Sequence, residues 1–134
     1  MDKSIFVIDD YSISLVTANQ AIKQHGFFGK ITTYSEAQLA LDYLINNQNN
    51  PAVLPNVILL DLNMPIMNGW EFLEALEELA PNLINLIDIY ILSSSVDPGD
   101  IQRSKKYTSV NGFLSKPLAQ NMLQNMMKTG LKSG

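Results

Sequence analysis

Five polar residues stand where predicted β-strands end, and their types suit chemistry on phosphorus. In chain order they are Asp9 and Asp10 after the first apolar run, Asp61 after the third, Ser93 at the end of the fourth, and Lys116 after the fifth. Carboxylates held close together repel one another unless a cation compensates their charge, and Mg²⁺ prefers such oxygen ligands. An ionised aspartate is also a nucleophile toward phosphorus, while a lysine and a hydroxyl stabilise the shifting phosphoryl charge. The five residues therefore predict a Mg²⁺-dependent phosphoryl site.

The apolar pattern of the chain predicts that these residues share one edge of a sheet. Short β-branched and aromatic runs predict strands over 5–8, 29–34, 57–60, 87–92 and 110–114, with a helical pattern after each. Runs without polar alternation are typical of strands buried on both faces. Five alternations of strand and helix predict an α/β fold, a doubly wound five-stranded parallel sheet with helices on both faces. In open sheets of this kind, ligands lie outside the carboxyl ends of the strands.

A few residues mark expected helix boundaries and loops. Ser12 is predicted to cap the first helix, which the pattern ends at Gly26. Asp97-Pro98 is predicted to begin the fourth helix, because proline suits the first helical turn. The polar tract 46–51 is interpreted as an exposed loop, and Trp70 as a packing residue.

Each member of the polar set also has an ordinary structural explanation. Taken alone, Asp10 could equally well cap the next helix. Ser93 taken alone is explained by turn formation, and Lys116 by a charge that is simply solvated. These explanations would require all five residues to reach one sheet edge by accident. The chemical interpretation is therefore preferred for the set as a whole.

Composition sets the class of protein. The 134 residues suffice for one domain over 1–134, with no separate output domain expected. A net charge of −4 lacks the basic footprint of a nucleic-acid binder, so direct DNA binding is not expected. No apolar run approaches the roughly 20 residues of a membrane helix, so no membrane insertion is expected. The chain has no cysteine, and its first residues lead directly into a strand pattern without a leader; a cytoplasmic location is therefore predicted.

The sequence resembles the receiver domains of response regulators, the signalling switches of two-component systems. Asp9-Asp10 resembles the family's acidic pair, and the segment from Asp61 to Gly69, with its Met64-Pro65, resembles the phosphoacceptor segment. Ser93 falls where the family has a switch hydroxyl, and Lys116-Pro117 matches its Lys-Pro pair. The resemblance runs from Lys3 to the final helix.

The resemblance implies a flavodoxin-like strand order of 2-1-3-4-5 and a phosphoprotein that works as a switch. Asp61 would accept a phosphoryl group from a sensor histidine kinase or a histidine phosphotransfer protein. Asp10, Asp61 and the backbone carbonyl of Asn63 would hold Mg²⁺, with Asp9 assisting through water. The domain would catalyse only its own phosphorylation and dephosphorylation, so it is not expected to be an enzyme with an external substrate.

The resemblance also implies how the switch works. Lys116 would bind the phosphoryl group, and the Lys116–Pro117 peptide would be cis. Ser93 would move toward a phosphoryl oxygen, and the ring of Phe113 would turn inward behind it. Phe113 replaces the family's frequent tyrosine, so the hydrogen bond of a phenol hydroxyl is not expected. The surface over roughly 97–124 would then contact a downstream protein.

Two alternatives remain open from the sequence. A Mg²⁺-dependent phosphatase that forms an aspartyl phosphate usually carries a second carboxylate two residues after its nucleophile; here that position is Asn63, which cannot act as a general acid. A degenerate receiver would bind partners without being phosphorylated. The intact set of Asp9, Asp10, Asp61, Ser93 and Lys116 argues against it.

Overall fold

A computed structural model describes residues 2–133, and within them a five-stranded parallel sheet carries five α-helices. The strands are β1 Lys3–Ile8, β2 Phe28–Tyr34, β3 Val57–Leu60, β4 Asp88–Ser93 and β5 Val110–Ser115. The helices are α1 Ser12–His25, α2 Ala37–Asn46, α3 Gly69–Leu79, α4 Pro98–Ser104 and α5 Gln120–Thr129. Short 3₁₀ helices span Pro51–Val53 and Pro81–Asn85.

The strand order is β2-β1-β3-β4-β5, and every neighbouring pair is parallel. This confirms the predicted doubly wound sheet and the order 2-1-3-4-5. The predicted strand boundaries agree to within a residue or two, the largest difference being that β1 begins at Lys3 rather than Ile5.

Hydrophobic layers cover both faces of the sheet, because successive side chains of a strand point to opposite faces. In β1, Ile5 and Val7 pack with the layer under α1 and α5, whereas Phe6 and Ile8 pack with the layer under α2 and α3. Residues of β3 divide in the same way between the two layers. This double burial explains why the strands read as continuous apolar runs.

The first helix shows one correction to the sequence predictions. Ser12 was expected to cap α1, but it is the first helical residue, and Tyr11 holds the cap position without a side-chain hydrogen bond. The cause lies upstream: the Asp9 carboxylate accepts the Tyr11 backbone N–H at 3.0 Å and organises the turn itself. The predicted end is confirmed, since Gly26 closes α1 with φ 83° and its N–H bonds the Ile22 carbonyl.

Other predicted boundaries hold. Asp97 caps α4 by accepting the Gly99 N–H at 2.9 Å, and Pro98 is the first helical residue, as predicted. The predicted loop 46–51 is a turn over 47–49, between the end of α2 and the first 3₁₀ helix. Asn47 and Gln48 are half-buried there, and their side chains donate to carbonyls of α2. No helix among residues 2–133 combines the length and the apolar character that crossing a membrane requires.

Trp70 packs α3 against α4, as its interpretation as a packing residue requires. It is 7% exposed, and the guanidinium of Arg103 lies 4.4 Å from its ring centroid. The Tyr107 ring stacks on it at 5.5 Å, and the Tyr107 hydroxyl donates to Glu74 of α3 at 3.0 Å. These contacts fix the position of α4 beside the sheet edge that carries the polar residues.

Candidate functional site

Backbone hydrogen bonds extend the sheet ladder by one residue and thereby place three of the polar residues. The N–H of Asp9 donates to the last residue of β2 at 3.0 Å, and that of Asp61 to the last residue of β1 at 2.9 Å. The N–H of Lys116 donates to the last residue of β4 at 2.8 Å. Each side chain therefore leaves a fixed point on the carboxyl edge of the sheet.

Three carboxylates meet at this edge. Asp9, Asp10 and Asp61 each offer an oxygen atom, and these atoms all lie within 4.8 Å of one another. Asp9 and Asp61 are 2% and 7% exposed, whereas Asp10 faces solvent. The Lys116 ammonium lies 2.5 Å from Asp9 Oδ2 and 3.7 Å from Asp61 Oδ1. One cation thus faces three acidic groups, and a net negative charge remains.

A cavity of about 470 Å³ opens over these groups. Its wall includes the three aspartates and Lys116, together with Asn63, Ser94, and four residues of α1, namely Ile13, Ser14, Thr17 and Ala18. The cavity is large enough for a phosphoryl group and part of its donor.

The electrostatics of the cavity act most strongly on Asp61. The pKa of its carboxyl is raised from 3.8 to about 6, mainly by burial and then by the neighbouring Asp9 and, more weakly, Asp10. Lys116 and a backbone hydrogen bond from Asn63 lower this pKa, without offsetting the burial. Additional positive charge in the cavity would favour the ionised, nucleophilic form of Asp61.

The donor set fits a hard divalent cation. Asp9, Asp10 and Asp61 supply carboxylate oxygens, and Asn63, whose backbone carbonyl was expected as a further ligand, lines the same cavity. Oxygen donors of this kind suit Mg²⁺, which would neutralise carboxylate charge and ligate a phosphate oxygen.

The two expected switch residues, Ser93 and Phe113, are not among the residues that line the cavity. Ser93 is buried at the end of β4, and its hydroxyl donates to the Ser95 carbonyl at 3.1 Å and accepts the Ser95 N–H at 3.2 Å. Among the described residues, the neighbouring Ser94 lines the cavity in its place. Phe113 is partly buried against the layer under α2 and α3. Movement of either side chain stays a prediction.

Ser14 is a site residue that the sequence interpretation missed. Its Oγ accepts a hydrogen bond from the Lys116 ammonium at 3.2 Å. Its position in the first turn of α1, directly after the acidic pair, was the available signal. The Lys116–Pro117 peptide is cis, as expected.

Comparison with known proteins agrees with this geometry. The family model described as response regulator receiver domain matches residues 5–128. A probable methanogenesis regulatory protein, FilR2, of Methanothrix harundinacea (strain 6Ac) is 29% identical over 115 residues, which is 86% of this chain and 72% of that protein. The chain spans only 7%, 50% and 53% of the length of three further curated relatives.

Solved structures share the fold over nearly the whole chain. A two component response regulator from Cytophaga hutchinsonii superposes with a TM-score of 0.88 at 28% identity, covering 96% of both chains. A response regulator receiver protein from Dyadobacter fermentans DSM 18053 superposes with a TM-score of 0.82 at 30% identity, covering 95% of this chain and 96% of that one. With the family model matched over residues 5–128, this chain belongs to the response regulator receiver domain family.

Proposed function

We propose that this domain is a signalling switch that takes a phosphoryl group onto Asp61 in a Mg²⁺-dependent reaction. The supporting observation is the Asp61 carboxylate itself, which lies in the cavity beside two other carboxylates and 3.7 Å from the Lys116 ammonium. Family membership supports the same role. The phosphoryl donor is a phosphohistidine of a sensor histidine kinase or of a histidine phosphotransfer protein.

The transfer is a substitution at phosphorus. A carboxylate oxygen of Asp61 forms the new P–O bond while the P–N bond of the phosphohistidine breaks, and the leaving imidazole keeps the bonding pair and takes a proton. Lys116 stabilises the phosphoryl oxygens. Asp10, Asp61 and the backbone carbonyl of Asn63 would hold Mg²⁺, with Asp9 assisting through water, and the ion would neutralise the charge of the carboxylates and the phosphoryl group. The domain releases no product from an external substrate, and hydrolysis of the acyl phosphate resets it.

Another protein recognises the phosphorylated form of the domain by binding to it. Ser93 would exchange its Ser95 contacts for a phosphoryl oxygen, and Phe113 would follow it inward. The surface over roughly 97–124, which includes α4, would change and contact an unknown downstream partner. The predictions of no direct DNA binding and of a cytoplasmic location accompany this proposal and await direct binding and fractionation measurements.

The proposal is tested by measuring intact mass after mixing the protein with Mg²⁺ and acetyl phosphate. We expect a gain of one phosphoryl group that requires Mg²⁺. Asp61→Asn removes the nucleophile and should abolish the gain, whereas Asp42→Asn, an exposed aspartate of α2 outside the cavity, should leave it intact.

Three other outcomes would each have a definite meaning. A gain that survives in Asp61→Asn would place the phosphoryl group elsewhere and contradict the proposal. Mg²⁺ binding without any gain would restrict the reaction to a cognate phosphohistidine donor, which a purified phosphotransfer protein would then supply. Neither binding nor gain would leave a degenerate receiver that binds partners without phosphorylation.

A further inference from the structure

Among residues 2–133, the Lys116 ammonium has three polar contacts in the cavity, and one of these partners is uncharged. Its Nζ lies 2.5 Å from Asp9 Oδ2, 3.2 Å from Ser14 Oγ and 3.7 Å from Asp61 Oδ1. Ser14 is half-buried in the first turn of α1, so its Cβ position is fixed by the helix. The hydroxyl contact therefore ties the end of a long, flexible side chain to a rigid element.

We propose that Ser14 is a positioning residue for phosphoryl transfer, because it holds the Lys116 ammonium beside Asp61 when Asp9 no longer does. This inference rests on the proposed function of Asp61. It adds a role for α1, which the predicted set of site residues does not include.

Lys116 and a divalent cation would compete for the Asp9 carboxylate, so the Lys116 ammonium needs a partner that does not bind the cation. Both oxygens of this carboxylate are engaged, Oδ1 by the Tyr11 N–H and Oδ2 by Lys116. A divalent cation at the acidic cluster would draw on the same carboxylate and weaken its ion pair with Lys116. The Ser14 hydroxyl is a poorer ligand for the cation than the three carboxylates, so it stays available to the ammonium.

Without Ser14, the remaining contacts of the ammonium among the described residues would be the carboxylates of Asp9 and Asp61. Pairing with Asp9 would keep it away from the phosphoryl group. Pairing with Asp61 would withdraw charge from the nucleophile. Either arrangement slows the reaction without removing a group that contacts phosphorus. The hydroxyl thus keeps Lys116 available to the phosphoryl oxygens, in a geometry prepared before the donor arrives.

The experiment compares phosphorylation rates of matched variants with Mg²⁺ and acetyl phosphate. Ser14→Ala removes the hydroxyl, and Ser14→Thr returns it on the same helix position. Ser12→Ala is the control, because Ser12 is an exposed serine of the same helical turn outside the cavity wall. Lys116→Ala and the double variant Ser14→Ala with Lys116→Ala complete a double-mutant cycle.

We expect Ser14→Ala to slow phosphoryl uptake about tenfold, corresponding to loss of one hydrogen bond to a charged group in the transition state. Ser14→Thr should restore most of the rate, and Ser12→Ala should match the wild type. The Mg²⁺ dissociation constant of Ser14→Ala should stay within about twofold of the wild type, because hydroxyls bind this ion weakly beside carboxylates. In the Lys116→Ala background, Ser14→Ala should have no further effect.

Several results would overturn the positioning role while leaving Asp61 phosphorylation intact. They are an unchanged rate in Ser14→Ala, an equal slowing in Ser12→Ala, and an equal slowing by Ser14→Ala in the Lys116→Ala background. If Lys116→Ala reacts too slowly to measure, the same cycle is run on the urea-unfolding equilibrium, where additive effects would refute the contact. No phosphoryl uptake by the wild type from either acetyl phosphate or a phosphotransfer protein would refute the proposed function and this role with it.

Discussion

At the scale of single residues, the main feature is that Asp61 must be ionised in a place that disfavours its charge. Burial and the neighbouring Asp9 raise its pKa to about 6, although Lys116 lies nearby. The folded protein therefore holds this proton more tightly than the unfolded chain does. A bound divalent cation would reverse this preference, which couples cation binding to the reactive form of the carboxylate.

Without divalent cations, the contribution of Asp61 to stability should consequently fall as pH rises from about 4 to about 6. In this window the unfolded chain has released the Asp61 proton, whose ordinary pKa is 3.8, while the folded protein still holds it. Above pH 6 the folded protein carries an ionised carboxylate at a net cost. Asp61→Asn removes this cost, and it should raise the free energy of unfolding at pH 7 by about 1–2 kcal/mol, less than the full shift implies because the cavity opens to solvent.

The measurement is urea unfolding at pH 4, 5, 6 and 7 in the presence of a chelator. Asp61→Asn should differ from the wild type at pH 7 and approach it at pH 4. Asp42→Asn on the exposed face of α2 serves as the control and should follow the wild-type profile. A variant at Asp61 that is less stable than the wild type at pH 7 would contradict the assignment.

At the scale of elements, the approach of α3 to β3 shapes the site. The Gly69 N–H donates to the Leu62 carbonyl at 3.0 Å, and a Cβ at Gly69 would lie 2.6 Å from the Asp61 carbonyl oxygen. Such a contact is too short for any real Cβ, and the next atom, Leu62 Cα at 2.9 Å, also belongs to the backbone. The start of α3 therefore has room for glycine alone, immediately behind the phosphoacceptor.

Gly69→Ala should lower the free energy of unfolding by about 1–3 kcal/mol, because the helix or the Asp61 backbone must shift to admit the methyl group. The same shift should slow phosphorylation. Gly99→Ala is a matched control at the start of α4, where a Cβ would lie 3.4 Å from the Asp97 carboxylate and should be tolerated. Urea midpoints and phosphorylation rates of both variants test this, and equal stabilities of the two would refute it.

Across the molecule as a whole, a buried hydrogen-bond network around Asp88 lies at the edge of the sheet opposite the reactive groups. Asp88 begins β4 at the amino edge and is 1% exposed. Its carboxylate accepts the Asn111 side-chain N–H at 2.8 Å and the Lys132 backbone N–H at 3.1 Å. The Lys132 ammonium in turn donates to the carbonyls of Ile84 and Ile87. These bonds attach the segment after α5 to the base of the sheet.

Asp88→Ala should lower the free energy of unfolding by about 1–2 kcal/mol, since the Asn111 side-chain N–H and the Lys132 backbone N–H lose a buried, charged acceptor. Asp88→Asn keeps an acceptor oxygen and should lose less. Both variants should retain the wild-type phosphorylation rate well below their unfolding temperature, because the reactive groups lie at the other edge. Thermal unfolding and the initial rate of phosphorylation check this, and a slowed Asp88→Ala that is still folded would disprove the separation.

The amino-acid sequence was sufficient to predict the fold class and the sheet edge at which the polar residues meet. Apolar runs at β1 and β3 with helical patterns between them required a parallel sheet, and topology then brought Asp9, Asp10 and Asp61 together. This was possible because strand direction decides the edge to which a terminal residue belongs, whatever its distance along the chain.

Tertiary structure alone decided the finer partners of each side chain. The Ser14 contact with Lys116 joins residues far apart in sequence, and no local pattern encodes the rotamer that makes it. The Ser12 cap was mispredicted because the Asp9 carboxylate, by accepting the Tyr11 N–H, begins the turn one residue earlier and leaves Ser12 inside the helix. The pKa of Asp61 likewise depends on burial and on the summed charge of its neighbours, which exist only once the sheet has folded.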